Sequence, residues 1–242
     1  MAIPSKGTPI PRCIQAACYT ERMLQKFPQR PALIAAAQTL SASRIYLKQC
    51  WQDVAEADML SIYARADLVY TDHIADGGVK EAQRQAKSAD GPENDRICQA
   101  VFKDGITPIV RPVGQAQCDE MRKLEGRLDA AAPLWSDAAK VKGDIEKYRT
   151  DYELVLSQRR DAKLLAFNKR AVRDMAKEDL LDVFAKVQGI VKTEFPRNKA
   201  MQDMFFMELL DAGGGDEEEG DDAAPPTAGD AGDAGGAGAG TP

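Results

Sequence analysis

No glycine or proline interrupts residues 32–76. Those two residue types are the strongest local breakers of regular structure, so nothing in this stretch ends a helix. Its alanine and leucine content favours one. A helix of that length is several times longer than usual, and it must lay an apolar stripe on other helices to be stable. Leu33, Ala37, Leu40, Leu47, Trp51, Val54, Ile62, Ala66, Val69 and His73 supply such a stripe at helical spacing. The expectation is a long rod that starts near Pro31, where proline suits a first turn, and is stopped or bent at Gly77-Gly78.

The rest of the chain extends this pattern. Alanine is abundant while valine and isoleucine are sparse, a balance that favours helices over sheets. Cys13 to Phe27 reads as a short helix closed by Pro28, and Val79 to Ser88 as one more helical piece. Residues 96–114 differ: they are apolar and β-branched, with Asp104-Gly105 as a turn and Pro108 and Pro112 as breakers. They read as a short irregular or hairpin-like crossover that packs on the bundle. Gln115 to Ala131 resumes helix, with Met121, Leu124, Leu128 and Ala131 on one face. Pro133 starts or kinks the next. Leu164 to Val191 is amphipathic up to Phe195-Pro196, and Lys199 to Leu210 forms a last, nearly apolar helix that should be buried or docked. Lys26-Phe27-Pro28-Gln29-Arg30 and Glu194-Phe195-Pro196-Arg197-Asn198 echo one another between helices, a likeness expected to be coincidental.

The expected fold is therefore all-α: an elongated helical bundle with long antiparallel helices. Residues 1–12 form an extended arm with no signal-peptide pattern, 13–210 one helical domain with its crossover at 89–114, and 211–242 a tail. That tail holds nine acidic residues, no basic one and ten of the nineteen glycines. It cannot bury enough apolar surface to offset its ordering entropy, so disorder is expected. The whole chain carries a net charge of −6; without the tail, 32 basic residues face 29 acidic ones, a charge of +3. Solubilising the end of the last helix is the default role for the tail. Its rival is Glu217–Asp222 folding back onto the basic stripe at Arg159–Lys177.

Two patterns on the later helices suggest contact surfaces. Leu134, Ala138, Val141, Ile145, Tyr148, Tyr152 and Val155 step alternately by four and three, a heptad seam. Asp137, Asp144 and Asp151 flank it on one side, with Lys142 and Arg149 on the other. That arrangement suits a parallel self-pair, making this the candidate self-association seam. A bundle helix packing on its own chain is the simpler reading and the favoured one. Arg159, Lys163, Arg170, Arg173 and Lys177 recur at helical spacing as a candidate polyanion stripe. No aromatic residue interleaves with it, so a solvated face is the simpler reading.

Chemistry is sparse. His73 is the single histidine. With Asp76 three residues on, it is the candidate weak metal or proton site, set against a helix-end histidine held by local bonds. No phosphate-binding glycine loop or nucleophile elbow occurs. Cys13, Cys18, Cys50, Cys98 and Cys118 form no CxxC pair and leave one unpaired. They are expected as small buried hydrophobes in a reduced, cytoplasmic setting. No cofactor, catalytic residue or metal ligand is assigned, and no segment is apolar enough to span a membrane. The function expected is a non-enzymatic structural, assembly or adaptor role through protein–protein contacts, with other proteins or a second copy as partner. A polyanion-binding module modulated by its acidic tail comes second, with nucleic acid a disfavoured partner, and a metal-dependent enzyme centred on His73 third.

Overall fold

The computed structural model describes residues 3–91 and 94–208. The acidic tail, with the disorder expected of it, lies outside them, as do Leu209 and Leu210. The fold is all-α, and no strand occurs among the described residues. Its helices are α1 (Ile10–Leu24), α2 (Pro31–Asp90), α3 (Arg96–Val101), α4 (Thr107–Val110), α5 (Gln115–Ala131), α6 (Ala138–Glu194) and α7 (Lys199–Met204).

α2 is one helix of 60 residues and α6 one of 57. Both are built on a repeat of seven. In α2 the buried positions Leu40, Leu47, Val54, Leu68, Ala75 and Ala82 keep that step, with Ser61 filling the gap. In α6, Ala138, Ile145, Tyr152, Ala166, Leu180 and Val187 do the same, with Arg159 and Arg173 between. A strict seven-residue repeat keeps one stripe facing a partner helix over many turns. The two helices pack against each other and run antiparallel.

The described chain divides into two compact units where a single 13–210 domain was expected. Residues up to Met59 and from Leu165 onward form the first, and Leu60–Leu164 the second. α2 and α6 contribute to both. In the first unit α1 is the third helix. Cys13, Ala17 and Leu24 of α1 pack with Leu33, Leu40 and Leu47 of α2 and with Leu180, Phe184 and Val191 of α6. In the second unit α5 takes that place: Met121, Leu124 and Leu128 pack with Ala75 and Val79 of α2 and with Val141 and Ile145 of α6.

Several elements depart from expectation, each for a physical reason. α1 begins at Ile10, so the last residues of the 1–12 arm are helical; Pro11 fits its first turn, where no donor is needed. Gly77-Gly78 neither stops nor bends α2 into a new element. A Cβ on Gly78 would sit 2.4 Å from ring atoms of Tyr148 in α6, so this glycine serves close helix approach. The crossover is not hairpin-like but two short helices. The carboxylate of Asp90, the last residue of α2, accepts from the N–H groups of Ile97 and Cys98, both at 2.8 Å, and so closes the open first turn of α3. Asp104-Gly105, with Gly105 at φ +74°, then joins helix to helix. After Pro133 the chain makes a turn, and α6 starts at Ala138 rather than Leu134. α7 is shorter than the expected Lys199–Leu210 helix and has no buried residue of its own. Phe205 and Phe206, just beyond its end, are the buried ones.

The two Phe-Pro turns meet. Phe27, Phe195 and Phe205 form an aromatic triad with ring centroids 5.3–5.4 Å apart. The Arg30 guanidinium lies 4.2 Å from the Phe195 centroid and pairs with the Glu194 carboxylate at 2.8 Å. The sequence echo around Phe27 and Phe195 is thus a packing motif: two similar turns stacked on each other at the end of the first core.

Candidate functional site

The candidate self-association seam is occupied by the chain's own helices. Ala138, Val141 and Ile145 are buried in the second core, where Tyr148 packs against them. Tyr152 is buried with Leu68 and Cys118, with Val155 against them. The Tyr152 hydroxyl accepts from the Gly114 N–H at 3.0 Å, at the start of α5, and burial pushes this phenol well above its ordinary pKa. Leu134 precedes α6 and is exposed. The flanking charges pair within the chain as well. Arg149 holds Glu125 of α5 at 2.6 Å, both side chains 12% exposed, and Lys142 holds Asp129 at 2.7 Å. The seam that reads as a coiled-coil face is therefore the seat of α2 and α5, and is not free for a second copy.

The basic stripe is also largely engaged. In the first unit, Arg170 pairs with Asp58 at 2.9 Å and Arg173 with its neighbour Asp174 at 2.9 Å, while Lys177 donates to the Lys6 carbonyl at 2.7 Å. Lys169, beside the stripe, pairs with Asp53 at 2.8 Å and holds that carboxyl below its usual range. Arg159 and Lys163, in the second unit, make no hydrogen bond or ion pair among the described residues. Three of the five cations are thus turned to internal use.

His73 does not lie on a buried face; it is exposed. Asp76 turns away to α5, where its carboxylate accepts from Gln117 Nε2 at 2.9 Å. Gln117 is fully buried. Burial, with the Asp72 carboxylate nearby, raises the Asp76 pKa above its ordinary value. Among the described residues no three His, Cys, Asp or Glu side chains converge as metal ligands. The five cysteines are free thiols, all buried except Cys18. Burial pushes the Cys118 thiol up to about 11, which leaves it a protonated hydrophobe at neutral pH.

The feature that sequence reasoning missed is on the outside. The stripe expected to face the core follows the inner face of α2 through Leu40, Leu47 and Val54, apart from Trp51 at 42% exposed. Beyond Val54 it leaves that face: Ile62 is 58% exposed and Val69 65%. Tyr63 and Tyr70 lie exposed beside Ile62 and Val69, and Ala66 is exposed between them. The cause is phase. A stripe read at 3.6 residues per turn drifts about 20° per heptad from one read at 3.5, and by Leu68 the two lie on different faces. α6 carries outward apolar residues of its own in the first unit: Phe167, Val172 and Met175. These faces are bare because the third helices are short. In the first unit the α1-covered core ends on α2 at Cys50, and in the second the buried positions of α2 begin at Leu68.

No family model, no curated protein and no solved structure matches this chain.

Proposed function

We propose that this chain is a non-enzymatic helical assembly or adaptor protein that acts through protein–protein contacts. The observation that carries the reading is the outward apolar faces of its two long helices. Phe167, Val172 and Met175 on α6, with Ile62, Val69 and Tyr70 on α2, are large apolar side chains at exposed positions. Single exposed apolar residues are ordinary, but Ile62 and Val69, seven apart, and Val172 and Met175, three apart, each share a helix face, and grouped apolar residues mark contact surfaces. The helices beneath them are held by buried internal cores and internal ion pairs, so each face is presented on a packed helix. A polyanion surface has a narrower basis, since Arg170, Arg173 and Lys177 already have partners.

Affinity purification of the tagged full chain from its native host, with mass spectrometry of the co-purifying proteins, tests the reading. The comparison is a Phe167→Asp/Met175→Asp variant whose helical melting is unchanged. Proteins recovered with the intact chain and lost with the variant support the reading. The same recovery from both removes the α6 face from it, and no recovered protein at all defeats it.

A further inference from the structure

We infer that the outward face of α2 between Ile62 and His73 pairs with the same face of a second copy, in antiparallel sense, about a two-fold axis between Asp67 and Leu68. This deepens the assembly reading, on which it rests, by naming the partner as the chain itself. Ile62, Ala66, Val69 and His73 step by four, three and four, the spacing of a helix-pairing seam. All four are exposed, on the side of α2 away from the buried heptad positions Leu68 and Ala75. The seam ends where α5 covers the helix: its next position, Asp76, is already bonded to Gln117.

The residues beside the seam select the partner and the direction. Arg65 and Asp72 flank it on one side, Tyr63 and Tyr70 on the other. In an antiparallel pair, like flanks of the two helices meet. With Ala66 opposite Val69 of the second copy, and Ile62 opposite its His73, Arg65 lies against Asp72 of that copy. The two-fold repeats the pair, and Tyr63 meets Tyr70 twice on the other flank. Arg65 makes no ion pair within the described residues, so its charge is available; the half-buried Asp72 carboxylate already interacts inward with the Tyr152 hydroxyl and meets Arg65 of the second copy with its remaining lone pairs. A slide of one heptad in either direction brings Arg65 against Arg65, or Asp72 against Asp72, and like charges reject those registers. A parallel pair sets the charged flank against the tyrosines and forms no opposite-charge contact.

Sedimentation equilibrium of the full chain over a rising concentration series reads the association. A reversible monomer–dimer equilibrium is expected, because a four-position seam buries less than an obligate interface. Ile62→Asp and Val69→Asp, at exposed positions where folding survives, are each expected to weaken dimerisation at least about tenfold. Arg65→Asp alone is expected to weaken it, and Arg65→Asp with Asp72→Arg to restore it; lost helix area cannot mimic that rescue. Because Asp72 is half-buried, a second measurement stands beside the swap. In a Cys18→Ser background, chains with Ala66→Cys mixed with chains with Val69→Cys should form mixed disulfide dimers in preference to either alone. A chain that is monomeric at every concentration overturns self-pairing while the assembly reading keeps its own test through α6. A dimer indifferent to Ile62→Asp, without the preferred mixed disulfide, overturns this surface.

Discussion

Two adjacent glycines in α2 have opposite jobs. A methyl on Gly78 would overlap the Tyr148 ring, whereas one on Gly77 meets nothing within 4 Å. Gly77→Ala is therefore expected to stabilise by about 0.5–1 kcal/mol through helix propensity and the unfolded state. Gly78→Ala is expected to destabilise by about 1–3 kcal/mol through overpacking. Thermal or urea melts of the two variants should move in opposite directions. Asp76 offers a second check at this scale. Its carboxyl titrates above the ordinary value because it is buried, with Asp72 close by. For a carboxyl raised by folding, the protonated form is the favoured one in the native state. Its stabilisation is full below the ordinary carboxylate range and is lost as pH rises through the shifted pKa. Asp76→Asn keeps an acceptor for Gln117 and removes the charge. The variant should melt higher than the parent at neutral pH and like it at the acid end, so its stability should depend less on pH. Melting temperatures in a pH series decide this, and a variant that melts lower at neutral pH refutes it.

At the scale of the elements, the α5–α6 contact turns on Arg149. It joins Glu125 across the helices and Glu153 along its own, at 2.6 and 2.9 Å, with its side chain 12% exposed. Removing one partner of such a pair strands the other charge. Arg149→Met is expected to cost about 3 kcal/mol, and Arg149→Met with Glu125→Met markedly less; a double-mutant cycle by urea denaturation measures both. Glu153 does not confound the cycle, because Arg122 also binds it. The helices themselves were legible: Gln115–Ala131 matches to the residue, and the uninterrupted run after Pro31 gave α2 its start. What could not be read was which face of α2 turns inward. Alanine, serine and glycine hold much of its inner stripe, while isoleucine, valine and tyrosine sit outside. The larger apolar residues therefore pulled the reading off the buried face. Small residues mark the core here because two long helices approach closely, and that information lies in the partner helix. The heptad in α6 was legible as a pattern, with packing on its own chain the favoured reading; which helices it seats, α2 and α5, was not, because the spacing alone does not name a partner. His73 and Asp76 fell three apart on one helix, yet only α5 determines that Asp76 bonds to Gln117.

For the molecule as a whole, the two units differ in how the chain supplies them. The second is drawn from one stretch, Leu60–Leu164, and the first from two stretches on either side of it. Contacts within the second unit therefore close shorter loops, whereas α1 and α2 of the first meet across a short turn but reach α6 only across the whole intervening segment. In pulse-labelling hydrogen exchange during refolding, amides of α5 and of residues 138–160 in α6 should gain protection before those of α1. Earlier protection of α1 would contradict this order.

The same division has a consequence during synthesis. α1 and the first half of α2 leave the ribosome first, yet their core needs Leu180, Phe184 and Val191, which are made more than a hundred residues later. The nascent chain must carry Cys13, Leu24, Leu33 and Leu40 without their α6 partners while the second unit is completed. Once formed, that unit gathers the two ends of the missing core. The core begun before the second unit is thus finished after it, and it depends longest on whatever shields apolar surface at the ribosome exit.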